Sequence, residues 1–215
     1  MKKLSLVLSL FSMGFYFSQS TVLHNLNNNR LMSQAVNKIG VAELADKEFV
    51  GSPFLESQFL PSTIKGENGT YLLRYNIYND EIILKDGDKY FKVPKDGIDY
   101  LYINGKYVIR LINGSYYVQS SSEKGNYTIV KKESVKFTEG KVSENAYGQN
   151  LPAKFTPLKP EYFLYNTENK VLTPAKAEDL KKALPSKESN LDTFFKKNKL
   201  KKPEDYNALL EVIVN

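Results

Sequence analysis

Short apolar and aromatic stretches, separated by turn dipeptides, occupy the sequence from residue 71 to residue 138. Asn104-Gly105 and Asn113-Gly114 separate neighbouring stretches, and Asp86-Gly87 has the same role. Asn-Gly closes two-residue hairpins because both positions tolerate positive φ. A strand about every 8 to 12 residues predicts an antiparallel meander that curls into a sandwich or a partial barrel. The predicted strands cover residues 71–78, 81–84, 89–93, 98–103, 106–112, 115–121, 126–132 and 134–138.

Turn-forming residues flank this meander on both sides. Gly51-Ser52-Pro53 and Leu60-Pro61-Ser62 are expected to interrupt regular structure. Residues 139–160, which contain three prolines and no periodic pattern, are predicted to form a loop. One last hairpin is predicted around Asn166–Asn169, from strands at residues 162–165 and 170–172.

The C-terminal residues 173–215 are predicted to form a small helical appendage. Thr173-Pro174 is expected to open a first helix that ends before Pro185. Ser186 is expected to cap the second helix, and Pro203 to open the third. The apolar residues with helical spacing are Leu191, Phe194 and Phe195 in the second helix and Tyr206, Leu209, Leu210 and Ile213 in the third.

The first twenty residues have the pattern of a secretion signal. Two lysines precede an apolar run over residues 4–17, and Ser18-Gln19-Ser20 follows it. The run is shorter than the roughly 20 residues that span a bilayer. We therefore predict a signal peptide at residues 1–20, cleaved after Ser18 or Ser20. The mature protein is expected in the periplasm or outside the cell, and not integral to the membrane.

The predicted fold class is α+β. A polar N-terminal segment covers residues 21–50, and its weak helical pattern indicates one short helix at most. The β-rich domain covers residues 51–172, and the helical appendage covers residues 173–215. The residues of the weak helical pattern are Leu31, Ala35, Val36, Ile39 and Val41.

Composition excludes several classes of site. The chain has no cysteine, so disulfides, Cys-ligated metals and Cys nucleophiles are excluded. The single histidine, His24, is close to the predicted cleavage site, where an exposed tail residue is the expected interpretation. The net charge is +6, but only three of the basic residues are arginines. Lysine suits bidentate phosphate and base recognition poorly, so we expect no nucleic-acid partner. No catalytic residue, metal or cofactor is predicted.

Tyrosine is the residue type most suggestive of recognition. The chain has 15 tyrosines and no tryptophan. Tyrosine combines a large apolar ring with a polar tip, which suits binding surfaces. It equally suits plain cross-strand packing in an antiparallel sheet. The candidate binding residues are Tyr75, Tyr78, Tyr100, Tyr102, Tyr116 and Tyr117.

Two charged groups offer further hypotheses. Asp80, Glu81, Asp86 and Asp88 surround the first predicted hairpins, where carboxylates on facing strands would bind Ca²⁺ or act as an acid/base pair. Solvated turn residues are the simpler interpretation. The lysine-rich run at residues 196–202 would attract an anionic lipid surface or polysaccharide, or else is a solvated helix end.

Three short motifs stand out at residues 51–55, at residues 73–81 and in the charged tail at residues 194–201. Together they resemble an uncharacterised family of exported proteins from Bacteroidetes, especially flavobacteria. It implies a signal peptide and an envelope or extracellular location, and it transfers no catalytic residue. Its characteristic feature is the polar trio Asn76, Asn79 and Asp80 beside Arg74. The simpler interpretation, which we favour, is a buried pair between Arg74 and an acid that ties the first hairpin together.

Three functions remain open from the sequence. The first is a non-enzymatic envelope or secreted protein that binds a protein or a glycan through its tyrosine-bearing sheet. The second is a carboxylate-dependent hydrolase of cell-wall or extracellular polymer that uses acids such as Asp80 and Glu81. The third is a carrier that encloses a lipid within its curled sheet.

Overall fold

The computed structural model describes residues 35–36, 48–65, 69–95, 101–142 and 150–215. The predicted signal peptide, His24 and Tyr100 lie outside these residues. Within them the chain forms fourteen strands and three α-helices. The strands are β1 (Ala35–Val36), β2 (Phe49–Val50), β3 (Leu60–Ile64), β4 (Tyr71–Asn76), β5 (Glu81–Asp86), β6 (Lys89–Lys92), β7 (Leu101–Asn104), β8 (Val108–Ile112), β9 (Ser115–Gln119), β10 (Tyr127–Lys132), β11 (Val135–Thr138), β12 (Ala153–Pro157), β13 (Glu161–Asn166) and β14 (Leu172–Pro174). The helices are α1 (Ala177–Ala183), α2 (Glu188–Lys197) and α3 (Pro203–Val214).

The described strands form two open sheets. The large sheet has the strand order β1-β6-β5-β4-β3-β7-β8-β9-β10-β13-β14, and all its pairs are antiparallel. The small sheet has the order β11-β12-β2, in which β2 pairs with β12 in parallel. The predicted α+β fold, a mainly antiparallel β body followed by a small helical appendage, is confirmed.

The large sheet curls around its own core. In the strand order, β3 and β7 separate β4 from β8, yet the inward side chains of β4, β5, β8 and β9 share one core. The rings of Tyr75 and Tyr116 meet there edge to face, with centroids 5.8 Å apart. The concave side is therefore filled by protein side chains. Its buried members include Tyr71, Leu73, Tyr75, Ile82, Leu84, Ile109, Leu111, Tyr116 and Val118.

The helices cover another part of the same face near β10 and β13, because Ile129 lies on the side of β10 that Lys131 shares with Val118 of the curled core. Ile129 of β10 and Leu164 of β13 pack in a second core with the apolar faces of the three helices. Val130, the next residue along β10, points to a separate cluster, as alternation along a strand requires. The predicted helical positions Leu191, Phe194, Tyr206, Leu209, Leu210 and Ile213 are buried in this core, and Phe195 packs against it.

The predicted helix starts need correction. Thr173 and Pro174 belong to β14, where they pair with β13, and α1 begins only at Ala177. Ser186 lies in a short 3₁₀ turn and provides no side-chain cap for α2. The prediction that Pro203 opens the third helix is confirmed.

Two strands were missed in the sequence because prolines interrupt them. Leu60–Ile64 forms β3, and Ala153–Pro157 forms β12 within the predicted loop. Pro61 is tolerated because β7 pairs with β3 only from Ser62 onward, so the missing N–H of Pro61 breaks no ladder bond. Pro157 is tolerated for the same reason, because β2 pairs with β12 only at Ala153 and Lys154, so that side of Pro157 has no ladder bond to lose.

One turn prediction is confirmed, and another needs correction. Asn113 and Gly114 both have positive φ and close the β8–β9 hairpin as predicted. Asn104 instead precedes the turn, because its N–H donates to Tyr107 O and its side-chain Oδ1 accepts the N–H groups of Lys106 and Tyr107. The turn residues are thus Gly105 and Lys106, with asparagine at the first position of the turn.

The N-terminal helical pattern is wrong for the two residues that can be compared. Ala35 and Val36 form β1, which pairs with β6. The other residues of that pattern lie outside the described ranges. No helix in the described ranges combines the length and the apolar character that spanning a membrane requires.

Candidate functional site

Asp80 joins the turn after β4 to strands β9 and β10. It has a positive φ of 56°, which aspartate tolerates better than most residues. Its Oδ1 accepts hydrogen bonds from Tyr75 Oη at 2.7 Å and from Lys132 Nζ at 2.5 Å. Its Oδ2 accepts a hydrogen bond from Lys95 Nζ at 2.8 Å. One carboxylate therefore binds two lysines and a tyrosine.

The Asp80–Lys132 pair also takes the place of a strand partner for Tyr116. The Tyr116 N–H donates to Asp80 Oδ1 at 3.2 Å, and Lys132 Nζ donates to the Tyr116 carbonyl at 2.9 Å. The ladder between β9 and β10 joins only Val118 and Gln119 of β9 to β10. Because buried backbone groups need partners, the ion pair completes the edge of β9 where β10 has diverged.

The charges in this cluster shift its protonation equilibria. Burial alone would raise the pKa of Asp80, but the hydrogen bonds from Lys132, Lys95 and Tyr75 outweigh it, and the pKa lies below its ordinary value. Burial lowers the pKa of Lys132, and Asp80 offsets part of that effect. Burial and the adjacent Asp80 raise the pKa of Tyr75. Asp80 is therefore an ionised structural acceptor at neutral pH.

The predicted acidic cluster is not a cluster in the structure. Glu81 pairs with Lys92 on β6 at 2.6 Å, whereas Asp80 pairs with Lys95 and Lys132. Asp86 and Asp88 are exposed at the other end of β5. Among the described residues, no group of three or more His, Cys, Asp or Glu side chains is placed to hold a metal ion.

The candidate tyrosines do not form one exposed face. Tyr75 and Tyr116 are only 2% and 1% exposed, because they belong to the core of the curled sheet, so neither can contact a partner. Tyr78 is 41% exposed and packs edge to face against Phe137 and Phe155 of the small sheet. Tyr117 is half-buried against Phe163. Tyr102 lies in β7 opposite Ile64, and its side chain is outside the described part.

The partner expected for Arg74 also differs from the prediction. Its guanidinium carbon lies 3.5 Å from the ring centroid of Phe54 and 4.3 Å from that of Phe59. Its Nη1 donates to the carbonyl of Ser57 at 3.2 Å. Asp80, the acid of the polar trio beside Arg74, pairs with Lys95 and Lys132. Arg74 thus fixes the segment before β3 by cation–π contacts.

A polar groove of about 520 Å³ lies between α3 and the strands β8 and β9. Its strand side comes from the start of β8 and from the segment that follows β9, and its helix side comes from α3. Lys124 and Glu211 form an ion pair that connects the two sides. The lining residues are Tyr107, Val108, Gln119, Ser120, Ser121, Ser122, Lys124, Asn207, Leu210 and Glu211.

The polar side chains of this groove are of two kinds. Some are fixed by the fold: Gln119 Oε1 accepts Arg110 Nε at 2.9 Å, and Ser121 Oγ accepts the Ile129 N–H at 2.8 Å. Ser122 and Asn207 are exposed, and no hydrogen bond of their side chains occurs within the described residues. The groove therefore combines fixed walls with neutral groups that are free to bind a ligand.

Few features of the sequence point to this groove. Ser120-Ser121-Ser122 stands between two strands and looks like an ordinary loop. Asn207 lies on the exposed side of α3, far along the chain. Only the packing of α3 beside β9 brings these residues together, so the serine run was the sole local signal.

Comparisons with known proteins identify no relative. No protein-family model matches the chain, and neither a curated protein nor a solved structure shows significant similarity to it.

Proposed function

We propose that the protein is an exported, non-enzymatic binding protein that holds a neutral glycan in the groove between α3 and β9. Export rests on the N-terminal pattern of lysines, apolar residues and small residues. The observation that carries the binding proposal is the exposed, neutral hydrogen-bonding set of Ser122 and Asn207 within this groove.

The chemistry of the lining favours a neutral, hydroxyl-rich ligand. Lys124 and Glu211 are the charged lining residues, and they neutralise each other as an ion pair. A strongly charged ligand would have to compete with that pair, whereas sugar hydroxyls need only donors and acceptors. The half-buried ring of Tyr107 adds an apolar surface against which a sugar face can pack.

The contacts of the acids support a function without catalysis. Asp80 and Glu81 would have to act as a pair in the proposed hydrolase, but each is held by its own lysine partners. A lysine bound to a carboxylate stabilises the charged form and occupies its acceptor sites. The side chains that fill the concave core likewise favour a surface ligand over an enclosed lipid.

A glycan array followed by isothermal titration of the best ligand tests this proposal. Ser122→Trp fills the groove from an exposed position, so we expect the affinity to fall at least about tenfold without loss of stability. Ser186→Trp is the matched control, because Ser186 is exposed and lies outside this groove. Absence of any array ligand, or equal losses in both variants, would refute the proposal.

A further inference from the structure

A second charged surface lies at the loop between α2 and α3. We name residues 196–202 the lysine loop. Two of its lysines end α2, and the other three follow in the connection to α3. The five exposed lysines are Lys196, Lys197, Lys199, Lys201 and Lys202.

Hydrogen bonds hold the backbone of this loop in place. The backbone N–H and side-chain Nδ2 of Asn198 both donate to the Phe194 carbonyl at 2.9 Å. Asp205 Oδ2 accepts the N–H groups of Lys201 and Lys202 at 2.8 and 2.9 Å. Leu200 packs against the helical core. The lysines therefore project from a fixed platform, which reduces the entropy lost when they bind a surface.

Several acids of the surrounding helices already have other partners. Asp192 pairs with Lys181, and Glu211 pairs with Lys124. Backbone hydrogen bonds from Lys202 and Lys201 lower the pKa of Asp205, whose carboxylate caps α3. Within the described ranges, the five lysines form no ion pair, although the exposed Glu204 is close in sequence. Asp192 attracts Lys196, and Asp205 attracts Lys202 and Lys201, so these two carboxylates offset part of the positive charge that the five exposed lysines present to solvent.

We infer that the lysine loop attaches the protein to the phosphate-bearing surface of an anionic lipid bilayer. Separate lysine charges spread over seven residues match a plane of many phosphates, and such clusters gain about 1 kcal/mol per lysine, or about fivefold in partitioning. A single bound phosphate would need a cradle of donors, but Asp205 occupies the amides that open α3. The loop has no arginine for bidentate recognition of nucleic acid.

Vesicle co-sedimentation of the full chain tests this inference. Vesicles of phosphatidylglycerol and phosphatidylcholine are compared with vesicles of phosphatidylcholine alone. The test variant changes all five loop lysines to glutamine. The control variant makes the same charge change at five exposed lysines elsewhere, Lys65, Lys89, Lys136, Lys154 and Lys159. All proteins share one N-terminus, so any contribution from the leader cancels between variants.

We expect the unchanged protein and the control variant to sediment only with the anionic vesicles, and the loop variant to remain in the supernatant. Single lysine-to-glutamine changes in the loop should each lower the partition coefficient by about fivefold, and high salt should abolish the difference. Equal loss in the loop and control variants, or no selectivity for anionic vesicles, would overturn the inference.

Discussion

The carboxylate of Asp80 accepts the backbone N–H of Tyr116 at 3.2 Å, although 36 residues separate the two along the chain. The contact joins the turn after β4 to β9, on the far side of the curled sheet. Lys132 binds both Asp80 and the Tyr116 carbonyl, so the three residues form one closed unit. This unit holds the open side of the curl together.

Replacing Asp80 with asparagine tests how much this unit contributes to the free energy of unfolding. Asparagine keeps the positive φ and one acceptor but leaves the half-buried Lys132 and Lys95 without their counter-charge. We expect the free energy of unfolding to fall by about 2 kcal/mol, less than for a fully buried pair because solvent screens part of the charge. Urea unfolding measures it. Asp86→Asn, at an exposed turn, should change stability by less than about 0.5 kcal/mol.

The contribution of Asp80 should disappear in acid. Its folded pKa lies below the ordinary value of 3.8, so its stabilisation is present above that value and is lost as the pH falls through the folded pKa. The difference in unfolding free energy between the native protein and Asp80→Asn should therefore be constant near neutral pH and shrink in acid. A difference that stays the same below the ordinary pKa of aspartate would contradict this account.

Tyr75 is predicted to act through Asp80 and not as a binding residue. Tyr75→Phe keeps the buried ring but removes the 2.7 Å hydrogen bond to a carboxylate. The expected loss of unfolding free energy is about 1.5 kcal/mol, as for other hydrogen bonds to charged groups. Tyr78→Phe, at a more exposed ring, serves as the control and should be nearly neutral. If both variants proved equally stable, the hydrogen bond from Tyr75 to Asp80 would make no net contribution to the free energy of unfolding.

Gly51 joins the small sheet to the segment that leads into β3. Its φ is +85°, and a Cβ at this position would lie 2.3 Å from the carbonyl oxygen of Phe155. Gly51→Ala should therefore lower the free energy of unfolding by about 2 to 4 kcal/mol, through backbone strain and overpacking. Gly105→Ala has open space and no positive φ, so it should be neutral or slightly stabilising. Thermal unfolding of the two variants makes the comparison.

The sequence predicted correctly those strands, turns and helices that depend on neighbouring residues alone. The period-two stretches from Tyr71 onward became strands, Asn113-Gly114 closed its hairpin, and the spacing of Leu209 and Ile213 placed them in the helical core. Strand β3 was not predicted, because Pro61 disrupts a strand only if its position faces a paired neighbour, and β7 pairs with β3 only from Ser62 onward. That information resides in the strand order and not in the surrounding residues.

The candidate site was harder to predict because it depends on how the large sheet curls. The sequence placed Tyr75 and Tyr116 on strands but did not show that the sheet closes over both rings. It grouped Asp80 with Glu81 as neighbours, although their partners lie on β10 and β6. Residues that are close in sequence diverge here, and distant ones meet, because the packing of non-adjacent strands decides the contacts.

The groove between α3 and β9 is tested most directly by the amide resonances of the protein during titration with a neutral glycan selected on the array. We expect the largest shifts on residues 120–122 and on Asn207, and we expect Ser122→Trp to abolish them. Shifts confined to a separate groove beside the small sheet, at residues 139–142 and 150–153, would contradict this expectation.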